Sequence, residues 1–260
     1  MNTRMKAVIS GILLVLTLFI NYLGARGIIN GLSQKAVSDM YPTLITPAAF
    51  AFSIWGVIYT LIIASSIVMI IKAEGNTYYA QAIHKTAPYF WFTCGLNIIW
   101  IVSFSYNLIG LSSLFIFLLF LALVIIVQQL GSLQTGKYWL LPSAFGLYSG
   151  WLFIATVVNI TAWLVKLQWN GFGLSKELWA VIMLVVAVVL TVLFVLKIKN
   201  ALFPLPIAWA FWGIYSNLRS VETALTFKVL PLVAMIGAVL LVLVALIQLY
   251  RNKFSILPTV

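Results

Sequence analysis

Long apolar runs are the feature of this sequence that most restricts its fold. A helix of about 20 residues is needed to cross the hydrocarbon core of a bilayer. Eight runs reach or approach that length, and they lie at 7–25, 47–71, 88–107, 110–130, 139–165, 178–197, 203–218 and 229–250. Several begin at a proline, which suits the first turn of a helix because an N–H there has no partner to lose. The runs predict an all-α, polytopic membrane helix bundle with about eight transmembrane helices.

The run at 203–218 is the shortest and has two interpretations. Pro204 and Pro206 lie near its start, and Arg219 follows its end. It predicts either a complete span or a short or re-entrant helix. The turn between the third and fourth runs, around residues 107–110, leaves room only for an antiparallel hairpin.

Composition agrees with a membrane location and argues against a nucleic-acid-binding protein. Hydrophobic residues make up 64% of the chain and charged residues 7%, whereas soluble domains carry about 25% charged residues. The net charge of +11 comes from 15 basic residues, which are scattered singly or in pairs through the connecting loops. Basic residues that flank spans attract anionic headgroups. The expected partners are therefore membrane lipids and no nucleic acid.

The loop charges also predict an orientation. With eight spans, both termini lie on one side of the membrane, together with nine basic residues, while six lie on the other side. Basic residues are in excess in the cytoplasmic loops of membrane proteins. The count therefore predicts a multi-pass protein of the cell membrane with both termini in the cytoplasm.

Residue types that serve catalysis or metal binding are scarce. Cys94, inside the third run, is the only cysteine, and His84, in the predicted loop before Pro88, is the only histidine. They cannot supply the four ligands of a structural zinc site or two axial imidazoles for a haem. A loop histidine and a mid-membrane cysteine also offer no nucleophile–base pair. The sequence predicts no catalytic residues, no metal site and no required cofactor.

Aromatic and polar residues recur at helical spacing on three of the predicted spans. In the second span Phe52, Trp55 and Tyr59 follow at i, i+3 and i+7, so three rings share one helix face. Asn97 and Trp100 share a face of the third span. The corresponding face of the fifth span carries Tyr148, Trp151, Ala155 and Asn159.

Each of these faces has two interpretations. Stacked rings are either ordinary packing between helices or the wall of a pocket for a flat ligand. The asparagines either hydrogen-bond across helices, which contributes about 0.6 kcal/mol on average, or orient the polar edge of a ligand. Gly146 and Gly150 form a small-xxx-small pair on the fifth span, which permits close approach of another helix.

Taken in order, these motifs resemble the TspO/MBR family, the tryptophan-rich sensory proteins that include the mitochondrial translocator protein. The proline, tryptophan and tyrosine of the family's second span are matched by Pro47, Trp55 and Tyr59. The third-span Asn-x-x-Trp is matched by Asn97 and Trp100. The fifth-span pattern is complete, as Tyr148, Trp151, Ala155, Thr156 and Asn159. The resemblance covers about residues 7–166 and implies the family's five-helix bundle.

Two features depart from the family pattern. The family usually doubles the proline that opens the second span, whereas Thr46 precedes Pro47 here. Residues 167–260 add three further spans that the short members lack. The expected organisation is a TspO/MBR-like five-helix transmembrane bundle at 1–166, followed by a three-helix transmembrane extension at 167–260.

The resemblance implies an integral membrane binding or sensory protein for a flat hydrophobic ligand in a pocket within the five-helix bundle. Family members bind tetrapyrroles (porphyrin or haem), and some bind sterols or synthetic aromatic ligands. The resemblance brings one enzymatic activity into consideration, which is light-dependent porphyrin degradation. It also brings one form of assembly into consideration, which is a homodimer. The implied ligand-binding residues are Phe52, Trp55, Tyr59, Asn97, Trp100, Tyr148, Trp151, Ala155 and Asn159.

The alternative function is membrane transport of porphyrins or other hydrophobic small molecules. Ion-coupled transporters usually keep ionisable residues near mid-membrane. Here only Arg219 and Glu222 approach a span, so the sequence favours binding or sensing. Trp209 and Trp212, in the extension, are expected to matter little to the ligand unless the extra helices cap the pocket.

Overall fold

The computed structural model describes residues 1–75, 77–133, 138–219 and 228–259; Glu222 lies outside these ranges. Within them the chain forms nine α-helices, two 3-10 turns and no strand. The helices are α1 (Thr3–Ala25), α2 (Gln34–Asp39), α3 (Ile54–Lys72), α4 (Thr77–Ser105), α5 (Ile109–Gly131), α6 (Leu140–Lys166), α7 (Lys176–Ile198), α8 (Pro204–Leu218) and α9 (Val229–Arg251). The predicted all-α fold is confirmed.

Seven segments in the described ranges are long and apolar enough to cross a membrane, which confirms a polytopic helix bundle. They are α1, α4, α5, α6, α7, α9 and the segment in which a 3-10 turn runs into α3. The run predicted at 203–218 forms α8, which has 15 residues. At 1.5 Å per residue this helix is about 22 Å long, less than the hydrocarbon thickness of about 30 Å. Of the two alternatives for this run, the short helix is the one found.

The start of α4 differs from the prediction. The helix begins at Thr77 instead of Pro88, which lies inside it. A proline removes one backbone hydrogen bond from a helix interior, but the helix continues on both sides of it here. His84 therefore lies on a helix and not in a loop. Its ring nitrogens are 3.0 Å from the side chains of Thr3 and Lys6 in α1.

The second span also begins differently, while the predicted hairpin is confirmed. Pro47 does not open an α-helix; a 3-10 turn over Ala49–Ser53 follows it, and α3 begins at Ile54. We call residues 46–53 the entry segment. α4 and α5 are separated by three residues, with Asn107 in the left-handed region at φ 59°, as a tight antiparallel turn requires.

Residues from both the beginning and the end of the chain lie at one end of the bundle, which we call the near end. Arg4 forms an ion pair with Glu74, at 3.8 Å, just beyond the end of α3. The side chain of Leu257 lies beside Gly131, the last residue of α5. Because α4 and α5 form a hairpin, the start of α4 and the end of α5 are at the same end of the bundle.

The three helices of the extension alternate in direction. At the far end of the bundle, the Glu177 carboxylate at the start of α7 accepts a hydrogen bond of 3.4 Å from the backbone N–H of Leu230 at the start of α9. α7 and α9 therefore run side by side in the same direction. α8 connects them in sequence and runs in the opposite direction, so that α7 and α9 both end at the near end.

A buried junction joins the extension to the five-helix bundle. α7 ends at Ile198, and the chain turns inward at Asn200, which is fully buried. The Asn200 side-chain oxygen accepts hydrogen bonds from the backbone N–H groups of Leu202 and Phe203, at 2.9 and 3.2 Å. Its amide nitrogen donates to the carbonyl of Pro142 in α6, at 2.9 Å. Such bonds allow non-helical backbone to be buried in a membrane protein.

The predicted small-residue pair lies at this junction. A Cβ on Gly146 would be 2.4 Å from the Asn200 side-chain oxygen, and one on Gly150 would be 2.1 Å from the Phe203 carbonyl oxygen. The pair permits close approach as predicted, although its neighbour is the segment before α8. Four rings from both parts of the chain pack nearby with centroids 5.0–6.4 Å apart, and they are Phe120, Phe153, Phe194 and Phe203.

Candidate functional site

Four polar side chains from four different helices meet in the interior of the bundle. Tyr59 of α3 donates through its hydroxyl to the Asn21 side-chain oxygen of α1, at 3.3 Å. Asn21 donates to the Asn97 oxygen of α4, at 2.6 Å, and Asn97 donates to the Tyr148 hydroxyl of α6, at 3.0 Å. We call these four residues the polar cluster. It forms a continuous chain of hydrogen bonds across α1, α3, α4 and α6.

The predicted aromatic faces of α3 and α6 pack directly against the polar cluster. The rings of Trp55 and Tyr59 stack at 4.9 Å between centroids. Trp55 also contacts Tyr148 at 6.0 Å and Trp151 at 6.1 Å, both edge-on. Phe52 contacts Trp151 at 5.9 Å. These rings, which the sequence placed on two separate helix faces, therefore form one cluster. We call Phe52, Trp55 and Trp151, with the rings of Tyr59 and Tyr148, the aromatic cluster.

The space at this site is small. A cavity of about 20 Å³ lies beside the polar cluster, which is room for about one water molecule. Phe52, Trp55 and Trp151 do not line this cavity. The cavity is lined by Leu14, Thr17, Leu18, Tyr59, Ile62, Phe90, Thr93, Cys94, Asn97 and Tyr148.

The predicted site residues differ in their access to the surface. Trp151 is 3% exposed, whereas Phe52 is 47% exposed and Trp55 is half-buried. The α6 side of the aromatic cluster is therefore sealed in the bundle, and the α3 side reaches the lipid-facing surface.

Three of the predicted site residues lie apart from the polar cluster. Asn159 donates to the Ala155 carbonyl of its own helix, at 3.0 Å, and accepts from the Ser112 hydroxyl of α5, at 3.1 Å, which matches the helix-to-helix interpretation. Ala155 is half-buried. Trp100 is 8% exposed, and its indole N–H has no hydrogen-bond partner among the described residues. Neither Trp100 nor Asn159 lines the cavity.

The contribution of α1 to the site is not among the residues predicted from the sequence. Asn21 links Tyr59 to Asn97, and Thr17 and Cys94 line the cavity. A signal was present, because Thr17 and Asn21 are polar residues at i and i+4 on one face of an otherwise apolar run. Polar residues in a span are expected to face the bundle interior, so Asn21 could have been assigned to the site.

The extension holds the entry segment that leads into the aromatic cluster. The indole of Trp209 in α8 donates to the carbonyl of Ala51, at 2.9 Å. The backbone N–H of Ala48 donates to the carbonyl of Gly213, at 3.0 Å. The Trp209 ring also packs edge-on against Phe50, at 5.4 Å between centroids. α8 thus fixes the residues immediately before Phe52 and Trp55 through both backbone and side-chain contacts.

Fold and site together define a class of protein: a multi-pass helical membrane protein with an aromatic and polar cluster buried among its first helices. Comparison with known protein families is more specific. A family model described as TSPO-like protein matches residues 7–247, and the chain belongs to this family. No curated protein and no solved structure matches the chain.

The family match extends well beyond the five-helix region at 7–166 on which the resemblance was based. It includes α7 and α8 and most of α9. The three-helix extension therefore lies within the family match. This agrees with the packing, in which α8 contacts the entry segment and the junction before α8 contacts α6.

Proposed function

We propose that this protein is an integral membrane binding or sensory protein for a flat hydrophobic ligand of the tetrapyrrole class. The observation that carries the proposal is the contact between the aromatic cluster and the polar cluster, centred on Trp55 and Tyr148. Ring faces stack on a macrocycle, and amide and hydroxyl groups hydrogen-bond to its polar edge. Membership of the TSPO-like family supports the same general class of function.

Binding is coupled to a rearrangement of the rings in this proposal. The cavity admits about one water, so the ligand must displace the stack of Trp55 and Tyr59. Phe52 and Trp55 have exposed surface on the bilayer side, and they are the side chains free to move outward. Apparent affinity is reduced in proportion to the fraction of molecules that are open. Binding is therefore expected to be slower and weaker than in a preformed pocket.

Affinities of single tryptophan variants for protoporphyrin IX test the proposal. Trp55→Leu and Trp151→Leu are each expected to weaken binding about fivefold, since loss of one ring contact is worth roughly 1 kcal/mol. Binding is measured by titration in detergent, following Soret absorbance because ten tryptophans obscure a fluorescence signal. Trp139→Leu is the matched control, because Trp139 is 59% exposed at the start of α6. Unchanged affinity in both test variants would mean that the aromatic cluster is ordinary packing between helices and not a binding site.

Two further conditions in the same experiment separate binding from turnover and transport. Under illumination, loss of the Soret band no faster than in Trp151→Leu leaves binding as the function, while faster loss indicates photochemical degradation. In proteoliposomes, porphyrin uptake that depends on a proton or sodium gradient would favour the transporter. The binding proposal expects neither result.

We also propose that the near end faces the cytoplasm of the cell membrane. The support is the excess of basic residues on the side of the termini, nine against six, together with the position of residues 4 and 257 at one end of the bundle. Reporter tags fused before residue 1 and after residue 260 are expected to be inaccessible from outside intact cells. An externally accessible tag at either position contradicts this orientation.

A further inference from the structure

A second cavity lies at the near end, well away from the aromatic cluster. Its volume is about 190 Å³, compared with about 20 Å³ for the cavity beside the polar cluster. It is formed where α7 and α9 end and where the segment after α9 folds back. It is lined by Leu196, Lys199, Gln248, Arg251, Asn252 and Pro258.

The lining of this cavity is cationic. Lys199 and Arg251 are both exposed, and neither forms an ion pair within the described residues. The chain has only four acidic residues; among the three that lie in the described ranges, Glu74 is at the near end and is paired with Arg4. Neither of the two cations of this cavity is therefore paired with a carboxylate in the described part of the protein.

The polar floor of the cavity is fixed by buried amides. Gln248 and Asn252 are both buried, and the Gln248 amide donates to the Asn252 side-chain oxygen, at 2.7 Å. Asn252 in turn donates to the carbonyls of Lys199 and Ile256, at 2.8 and 3.0 Å. The backbone N–H of Ala201 donates to Ile256 as well, at 2.9 Å. These bonds hold the end of α7 and the segment after α9 in one arrangement.

Lys199 occupies a backbone position that favours glycine. Its φ is 52°, in the left-handed region, where helices commonly end with glycine because a side chain there costs free energy. A lysine in this position places a cation on the cavity wall at the expense of backbone strain. Residues held in such conformations tend to cluster at functional sites.

We propose that this cavity binds the phosphate-bearing headgroup of an anionic phospholipid. Lys199 and Arg251 supply the charge for the phosphate, and basic pockets between membrane helices bind anionic headgroups in this way. Leu196, which is 51% exposed on α7, supplies an apolar wall continuous with the bilayer for the glycerol and acyl chains. A bound lipid bridges α7 and α9 beside Asn200, and so stabilises the junction between the extension and the five-helix bundle.

Binding of dioctanoyl phosphatidylglycerol to the purified protein in neutral detergent, counted by native mass spectrometry, tests this site. Lys199→Gly and Arg251→Gln are each expected to weaken binding about fivefold, the effect of one cation near an anionic headgroup. Lys253→Gly is the matched control, because Lys253 also has a positive φ, of 54°, at the same end but does not line the cavity. At elevated salt, which screens charges outside the site, this control is expected to change binding less than twofold.

The glycine variant separates binding from folding. Glycine relieves the left-handed backbone, so Lys199→Gly is expected to unfold no more easily than the parent while it loses affinity. If it misfolds, unchanged affinity in Arg251→Gln still overturns the proposal. Equal loss in Lys253→Gly and Lys199→Gly also overturns it, since it indicates diffuse attraction to the near end.

Competitors identify the source of the phosphate group. Dioctanoyl phosphatidylcholine, with the same chains and no net charge, is expected to bind at least tenfold more weakly than phosphatidylglycerol. Inorganic phosphate at equal concentration is expected to displace little of the lipid, because it makes no contact with Leu196. Displacement by phosphate at equal concentration would mean that the site binds free phosphate, and the lipid assignment would be wrong.

Discussion

Gly150→Ala is expected to lower the free energy of unfolding by about 3 kcal/mol, the upper part of the usual range for overpacking. The added methyl group would lie 2.1 Å from the Phe203 carbonyl oxygen and 3.3 Å from the Pro206 ring. A carbonyl oxygen belongs to the backbone and a proline ring has little freedom, so neither can rotate away. The buried junction before α8 must therefore separate from α6, which also strains the hydrogen bonds of Asn200.

Gly95→Ala provides the matched control for this prediction. Gly95 lies within α4, and a Cβ there would meet no atom within 4 Å. Alanine is favoured over glycine in an exposed helix interior by roughly 0.8–1 kcal/mol, so this variant is expected to be as stable as the parent or more stable. Unfolding by sodium dodecyl sulfate in mixed micelles compares the two. Equal stability of both variants would show that the junction is loosely packed.

The architecture could be predicted from the sequence because run length is set by the thickness of the bilayer. A run of about 20 apolar residues is long enough to cross the bilayer, whichever helices it contacts. Seven of the eight predicted runs are helices of spanning length. The eighth was ambiguous for a physical reason: two prolines at 204 and 206 favour a helix start, but they do not indicate how deep in the membrane it begins. The position of the helix start relative to α6 is fixed by the side chain of Asn200, which donates a hydrogen bond to Pro142.

The candidate site could be predicted only in part, because helical periodicity reports the face of a residue and not its partner. Trp55 and Trp151, which are both among the predicted site residues, have their rings in contact. Asn159 is on the face of Trp151, but it lies eight residues further along, which is about 12 Å, and it reaches α5 instead of the polar cluster. Faces on one helix therefore contain residues with different neighbours.

Contacts between the extension and the entry segment could not be predicted at all. Trp209 is expected to matter little to the ligand unless the extra helices cap the pocket, and its indole is hydrogen-bonded to Ala51, 158 positions away in sequence. Nothing in the spacing of either segment encodes this pairing. It depends on the reversal of the chain after Asn200, which brings α8 alongside the entry segment. The effect of Trp209 variants on ligand affinity stays a prediction, whereas the contact of Trp209 with Ala51 is observed.

Asn97→Leu is expected to cost about 2 kcal/mol of stability, because it leaves the buried hydroxyl of Tyr148 unpaired and removes one of the two bonds that the Asn21 amide donates. Asn97 accepts from Asn21 and donates to Tyr148, and leucine has the same number of side-chain heavy atoms but can do neither. The Asn21 amide keeps its bond to the carbonyl of Thr17, at 2.8 Å, whereas the described residues offer the Tyr148 hydroxyl no other partner. The larger consequence falls on Tyr148, whose ring also contacts Trp55.

The control for this prediction is the same substitution at Asn159, the other asparagine among the predicted site residues. Asn159→Leu removes one bond to Ser112 and one within α6, and it is expected to cost only about 1 kcal/mol, since such bonds average about 0.6 kcal/mol each in membrane proteins. Unfolding in mixed micelles gives both values, and titration with protoporphyrin IX gives the second readout. Asn97→Leu is expected to weaken porphyrin binding and Asn159→Leu to leave it unchanged. Equal costs for the two variants would mean that the polar cluster has no special role, because a bond across four helices would then be worth no more than a pairwise one.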